Sequence, residues 1–179
     1  MDILRASQHH LVMSAIMPAY PKSKQTKHTK TEKPKSHKKI SITKLDYWFS
    51  LCVRERANWT CQKCGKAYPP TLNEKGLPGN RALHCSHFVG RGNDSVRTDP
   101  LNAEAHCYGC HSFFEQNPII FSDYIKEVLG EKFEILMEKS RNPMLGKQMN
   151  KERQQAVDHY KTQFFKIRDS NNKEFEGYL

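Results

Sequence analysis

The sequence predicts an α+β fold: a small core of two strands and one helix, flanked by further α-helices and preceded by a disordered basic tail. Two Cys-x-x-Cys pairs, at 61–64 and 107–110, bracket the segments with strand character. Apolar residues recur at helical spacing on either side of these pairs, and the Lys-rich segment 21–39 shows no periodicity. We therefore divide the chain into a tail (1–40), a core with a leading helix (41–117) and a helical C-terminal region (118–179).

The positive charge of the chain is concentrated near its N-terminus. The formal net charge of the 179 residues is +10, and residues 21–44 alone contain nine lysines and one acidic residue, Glu32. A segment with so few apolar residues cannot offset the entropy lost on ordering, so we expect the tail to be disordered. Its lysines, among them Lys35, Lys38 and Lys39, could hold nucleic-acid phosphates by counterion release. A solvated tail that only aids solubility is the alternative.

The elements of the core follow in order from residue 41. Apolar residues at helical spacing from Leu45 to Ala57 predict a helix with Thr43 as its N-cap, and Cys52 within this stripe is expected to be a small buried side chain. Residues 81–89 predict one strand and residues 96–105 a second. A short helix is expected from the second cysteine pair to residue 116.

The C-terminal region is expected to contain two or three helices. Residues 122–129 and 131–139 predict two short helices, the first ended by Gly130 and the second ending before Pro143. A longer helix is predicted over 151–168, where apolar residues recur on one face. That face comprises Ala156, Val157, Tyr160, Phe164 and Ile167.

The cysteine pairs predict a structural metal site. Cys61 with Cys64, and Cys107 with Cys110, each place two thiolates three residues apart, and four thiolates form a closed tetrahedral site that suits Zn²⁺. The interval 65–106 exceeds the roughly 15–20 residues usual in zinc ribbons, so a folded segment must lie between the pairs. Two disulfides or two unrelated turns are the alternatives.

The segment between and after the cysteine pairs carries a histidine motif. His87 ends the first predicted strand, Asn102 lies five residues before the second pair, and His111 follows its last cysteine. This order resembles the HNH endonucleases, which have a ββα-metal (His-Me finger) fold, and whose zinc-bearing members have two cysteine pairs in the same order. A closer resemblance adds Cys52-Val-Arg-Glu-Arg56 and His84-Cys85-Ser-His87 followed by an aromatic residue. These features are similar to the lambda NinG (Rap) family of phage and prophage recombination nucleases, which cut branched DNA.

The resemblance implies a role for each residue of the motif. His87 would deprotonate the attacking water, for which a histidine pKa near the working pH is suited. His111 would bind a catalytic Mg²⁺ or Mn²⁺ at the scissile phosphate. Asn102 would hold the loop between the strands by hydrogen bonds and so orient His87. Arg91 and Arg97 flank the motif and are candidate phosphate contacts, with ordinary surface charge as the alternative.

The chain departs from the HNH pattern at one metal ligand. Many members carry an Asp directly before the catalytic base, but this chain carries Ser86 there. The missing ligand could be His84, Glu115, Asp94 or Asp99. In the NinG-like pattern, moreover, an Asn often follows the last cysteine, so His111 matches the broader superfamily.

Two other residues beside the motif have ordinary explanations. Cys85 is expected to pack in the core, because four cysteines already complete the metal site. His106, next to Cys107, is expected to be solvated or to support the metal ligands.

The resemblance therefore implies a cytoplasmic DNA endonuclease of a phage or prophage that acts on branched recombination intermediates. No run approaches the ~20 apolar residues of a membrane span, which excludes a transmembrane protein. A general HNH nicking or restriction-type endonuclease is one alternative. A zinc-knuckle DNA-binding module that has lost catalysis is another, favoured by Ser86. DNA is the expected partner, and a homodimer through the helical region would allow both strands of a junction to be cut.

Overall fold

Residues 41–179, the part of the chain that the computed structural model describes, form six α-helices and two small antiparallel sheets. The α+β class is therefore confirmed. The predicted basic tail, with Lys35, Lys38 and Lys39, lies outside these residues. The helices are α1 (Lys44–Arg56), α2 (Tyr108–Gln116), α3 (Pro118–Leu129), α4 (Lys132–Arg141), α5 (Pro143–Lys151) and α6 (Arg153–Arg168). The strands are β1 (Thr71–Leu72), β2 (Pro78–Gly79), β3 (Leu83–His87) and β4 (Ala103–Cys107).

Helix α1 begins where the sequence predicts. The Thr43 hydroxyl accepts a hydrogen bond from the Asp46 backbone N–H at 3.3 Å, and the Asp46 carboxylate accepts one from the Thr43 backbone N–H at 2.7 Å. This reciprocal pair satisfies two donors that a helix start leaves without partners. The helix ends before Asn58 and Trp59, whose φ angles are 48° and 52°. These left-handed residues turn the chain toward the first cysteine pair.

Strands β3 and β4 form an antiparallel hairpin that leads into α2. Leu83 pairs with Cys107 at one end of this hairpin, and His87 pairs with Ala103 at the other. The second strand begins later than the predicted residue 96. The Asp99 carboxylate accepts a hydrogen bond from the Leu101 N–H at 2.8 Å and caps a short 3₁₀ helix, Pro100–Asn102, which delays the strand.

The C-terminal region contains one helix more than the sequence analysis placed. Helix α5 begins with Pro143 at its first turn, capped by the Asn142 side chain, which accepts a hydrogen bond from the Met144 N–H at 3.1 Å. Buried Gly146 lets this helix approach the loop before β4, since a Cβ there would lie 3.2 Å from the Ser95 backbone nitrogen. The predicted ends of α3 at Gly130 and of α6 at residue 168 are confirmed.

The core lies between α1, α6 and the β3–β4 hairpin. The predicted apolar face of α6 is buried, and Tyr160 and Phe164 pack against α1 with their rings near Phe49 and Trp48. Cys52 is fully buried, as predicted, and its thiol donates to the Tyr160 carbonyl oxygen at 3.3 Å. Within residues 41–179, no helix combines the length and the apolar character needed to cross a membrane.

Candidate functional site

The four cysteines of the predicted metal site come together. Cys61 and Cys64 follow α1, Cys107 ends β4, and Cys110 lies in the first turn of α2. Their sulfur atoms all lie within 4.8 Å of one another, and the Cys64 and Cys107 sulfurs are 3.9 Å apart. Gly65, with φ 72°, lets the first pair close by donating its N–H to the Cys61 carbonyl oxygen at 2.8 Å. The convergence of the two pairs is therefore confirmed.

The thiols of the cluster differ in how readily they lose their protons. Burial alone would raise the pKa of Cys107, but hydrogen bonds from the Cys110 backbone N–H and the Tyr68 hydroxyl lower it to about 6. Burial raises the pKa of Cys61, and burial together with the neighbouring thiols raises that of Cys110. Holding all four groups as thiolates at these distances would require a positive ion among them, and an S₄ donor set fits Zn²⁺.

The three histidines singled out by the sequence line one groove on the adjacent surface. His84 and His87 come from β3, and His111 comes from α2 directly after the cysteine cluster. The groove encloses about 370 Å³ and is also lined by residues of α1 and the segment before it, and of β3 and the segments flanking it. These are Ile42, Asp46, Ser50, Arg54, Arg81, Cys85 and Arg91.

His87 is held as a neutral imidazole. Its Nε2 lies 3.0 Å from the Arg97 carbonyl oxygen, and since a carbonyl can only accept, Nε2 carries the ring proton and Nδ1 does not. Burial and the nearby positive charge of Arg91 lower the pKa of His87 to about 4, although the Arg97 carbonyl acts in the opposite direction. A neutral, tautomerically defined imidazole is the form that a general base requires.

Asn102 controls the loop between the two strands. Its side chain is 0% exposed, and its Oδ1 accepts a hydrogen bond from the Val89 N–H at 2.6 Å. Its Nδ2 donates to the carbonyl oxygens of Val89 and Val96, at 3.0 and 2.8 Å. The loop held in this way presents Arg91 to the groove and supplies the Arg97 carbonyl that binds His87. Asn102 itself does not line the groove.

His84 and His111 form a pair of imidazoles. Their ring centroids are 5.2 Å apart, and two imidazoles that share an ion at about 2.0–2.1 Å have centroids roughly 5 Å apart. The His111 Nδ1 lies 3.4 Å from the Glu115 carboxylate, which orients the ring and leaves Nε2 free. Burial and the nearby His111 lower the pKa of His84, which keeps the ring available as a ligand.

The remaining coordination positions at this pair would fall to water or substrate oxygens. Within residues 41–179, no third His, Cys, Asp or Glu lies close enough to His84 and His111 to form a three-residue metal cluster. Two acidic residues considered as the missing metal ligand form hydrogen bonds elsewhere. Asp99 accepts from the Lys139 ammonium at 2.8 Å, and Asp94 accepts from the Asn150 side chain at 3.0 Å. Neither residue lines the groove.

Arg97 and Ser86 both lie outside the groove lining. The Arg97 guanidinium forms a two-point ion pair with Asp46, at 2.7 and 2.8 Å, and also donates to the Ser41 carbonyl oxygen. These contacts engage Nε and Nη2 and hold the loop to α1, while Nη1 lies 3.7 Å from the Asp94 carboxylate. The expected phosphate contact of Arg97 stays a prediction. Ser86 is buried and does not line the groove.

The positions of Cys85 and His106 agree only in part with the expectations from the sequence. Cys85 packs against the core as expected, but it also lines the groove, and burial raises the pKa of its thiol to about 12. His106 is fully buried, so the solvated alternative is wrong. Its Nε2 lies 3.1 Å from the buried Glu104 carboxylate, which also accepts a hydrogen bond from the Tyr124 hydroxyl at 2.6 Å.

Sequence reasoning missed several residues around the site. Arg54 and Arg81 line the groove, and Arg54 also donates to the Leu83 carbonyl oxygen at 2.8 Å. Gln62, between the first two cysteines, donates to Glu104 at 3.2 Å and so connects this turn to β4. Arg54 belongs to the Arg-x-Arg pattern at the end of α1, so the sequence did contain a signal for it. The contacts of Gln62 and Glu104 join residues far apart in the chain and leave no local signal.

Comparison with known proteins yields no match. No family model fits the chain, and no curated protein or solved structure is significantly similar to it. The cysteine cluster and the histidine groove are therefore the features of the molecule that bear on its function.

Proposed function

We propose that this protein is a metal-dependent DNA endonuclease of the HNH type. The observation that carries this proposal is the groove, which brings together a neutral histidine, a pair of imidazoles suited to a divalent ion, and arginines. A phosphodiester resists attack because it is negatively charged, so its hydrolysis needs an activated water and positive charge near the phosphate. The groove offers groups for both needs.

Each groove residue has a role in the proposed reaction. The neutral His87 accepts a proton from the attacking water, and its hydrogen bond to the Arg97 carbonyl stabilises the imidazolium that forms. His111 and His84 would hold a divalent ion, Mg²⁺ or Mn²⁺, which when bound would polarise the phosphate and stabilise the leaving oxygen. Arg91, exposed at the groove, would contact a phosphate oxygen.

The cysteine cluster would contribute stability rather than chemistry. Four thiolates leave no open coordination position for water or substrate, so we propose one structural Zn²⁺ per chain. The ion would connect the turn after α1 to the junction of β4 and α2, from which His111 projects.

The resemblance to the NinG family supports a branched DNA substrate from phage recombination. The motif residues that carry the resemblance include His87, Asn102 and His111, two of which line the groove while the third holds its loop. A catalytically inactive DNA-binding module is the second candidate. It is favoured by the burial of Ser86 and by the lack of a third protein ligand near the imidazole pair within residues 41–179.

Cleavage of a four-way junction and of a linear duplex of the same sequence, in Mg²⁺ and in Mn²⁺, tests the proposal. His87→Ala and His111→Ala should each lower cleavage by at least ~100-fold, the lower scale for losing general-base help. His87→Ala should keep its affinity for Mn²⁺, whereas His111→Ala should need far more metal. His159→Ala is the control, because His159 lies on α6 and its ring bonds the Glu176 carbonyl oxygen.

The two candidate functions give opposite results in this assay. Wild-type protein that binds DNA tightly but cuts neither substrate would reject the nuclease and favour the binding module. Equal cleavage of junction and linear duplex would retain the nuclease and reject the branched substrate.

A further inference from the structure

An exposed tyrosine stands beside the histidine pair. Tyr108 is the first residue of α2, between two cysteines of the cluster, and its backbone N–H donates to the Ala82 carbonyl oxygen at 3.0 Å. Its backbone is therefore fixed, yet 69% of the residue is exposed. The ring therefore contributes little buried area to the fold and is available for a contact with a partner.

The tyrosine ring borders the groove through His84. The two ring centroids are 5.9 Å apart in an edge-on contact, and the His84 ring is in turn 5.2 Å from that of His111. Ile42, which is 72% exposed, adds a second exposed apolar side chain to the groove lining. The exposed Arg81 and Arg91 lie in the same lining. Arginines for the phosphates and an aromatic face beside them are the combination by which proteins bind single-stranded nucleic acids.

We propose that Tyr108 is a stacking subsite for an unpaired base next to the phosphate held in the groove. This inference rests on the proposed nuclease function and names the feature of the substrate that the groove selects. In a continuous duplex both faces of each base are covered by neighbouring bases, so a ring at the groove edge has no base face to contact. At a branch point, flap or frayed end one face is free, and the Tyr108 ring can cover it.

The proposal makes Tyr108 a specificity-determining residue. An ion held by His84 and His111 would position the phosphate whatever the DNA structure, and the arginines would contribute equally to all DNA substrates. Only stacking distinguishes DNA with an unpaired base from continuous duplex. Tyr108→Ala should therefore weaken binding of forked DNA by roughly 5- to 150-fold, the scale of one lost base–aromatic stack, and leave binding of duplex within about twofold.

Fluorescence anisotropy in Ca²⁺, with forked and continuous DNA of the same sequence, measures this selectivity without cleavage. A 2-aminopurine base at the first unpaired position reports stacking directly, because its fluorescence is quenched when an aromatic ring covers it. Wild type and Tyr108→Phe should both quench the probe, and Tyr108→Ala and Tyr108→Leu should not. Phe113→Ala is the matched control, since Phe113 lies on the same helix and is 45% exposed but packs on Phe114.

Zinc content and circular dichroism establish that each variant is folded, and Tyr108→Leu keeps an apolar side chain if the alanine variant does not fold. The proposal is overturned if Tyr108→Ala weakens both DNAs equally, if Tyr108→Phe behaves like Tyr108→Ala, or if wild type does not quench the probe. Quenching without any cleavage would support the subsite and reject the nuclease. Cleavage that depends on His87 but not on Tyr108 would support the nuclease and reject the stacking subsite.

Discussion

Replacing Asn102 tests whether one buried amide holds the loop on which His87 depends. Asn102→Ala removes three hydrogen bonds, one from the Val89 N–H and two to the carbonyl oxygens of Val89 and Val96. Each is worth about 1 kcal/mol net, and a buried donor or acceptor left without a partner costs about 1–3 kcal/mol. We therefore expect the free energy of unfolding to fall by about 3–5 kcal/mol, a large part of the 5–15 kcal/mol typical of a folded domain.

A second substitution separates loss of hydrogen bonds from loss of volume. Asn102→Asp keeps nearly the same shape and still accepts from the Val89 N–H, but it turns a carboxylate oxygen toward the two carbonyls that the amide served. At pH 7 this variant should therefore be destabilised at least as much as Asn102→Ala. Asn150→Ala is the matched control, because Asn150 is exposed and its loss should change stability by no more than about 0.5 kcal/mol.

Urea unfolding followed by far-ultraviolet circular dichroism measures these differences, with the same excess of zinc in every sample. The cleavage assay then reports whether the loop has moved, because a displaced Arg97 carbonyl would no longer orient His87 and cleavage would fall. A loss below 1 kcal/mol for Asn102→Ala, or an Asn102→Asp variant as stable as wild type, would refute the assigned role of the amide.

Two further predictions concern the metal cluster and the pKa of His87. Cys64→Ser should lower bound zinc well below one ion per chain, measured by atomic emission, and unfold the β3–β4 region; a folded zinc-free variant would contradict this. The pKa of His87 falls from 6.5 to about 4 on folding, so the unfolded chain binds a proton that the folded chain does not, and stability declines as the pH falls through this window. The loss should reach about 3 kcal/mol and be absent in His87→Gln, and parallel stability curves for the two proteins from pH 7 to pH 4 would refute it.

Local sequence patterns predicted much of the fold. Three features, the Thr43 cap, the apolar stripe of α1 and the end of α3 at Gly130, are each determined by residues within a few positions of the feature itself. The convergence of the cysteine pairs was also predictable, because the spacing within each pair suits one ion. Patterns of this kind predict elements well because their physical cause lies within one or two helical turns.

The parts that the sequence did not reveal depend on contacts between distant residues. The ion pair that occupies Arg97 joins it to Asp46, 51 residues earlier in the chain. Helix α5 was missed because its buried Gly146 is a poor helix former in isolation, and only its contact with the loop at Ser95 explains the residue. The roles of Arg97 and of α5 are therefore properties of the tertiary structure.

The position of the cysteine cluster determines how loss of either proposed metal would affect the site. Cys110 and His111 are consecutive residues of α2, and Cys107 ends the strand that pairs with β3, on which His84 lies. Loss of the structural ion would therefore separate His111 from His84 and abolish the groove along with the cluster. Loss of an ion from the histidine pair would leave the four cysteines and the fold intact. A substitution at Cys64 cannot by itself show a catalytic role for metal, whereas His111→Ala can, because it changes the groove and leaves all four thiolates in place.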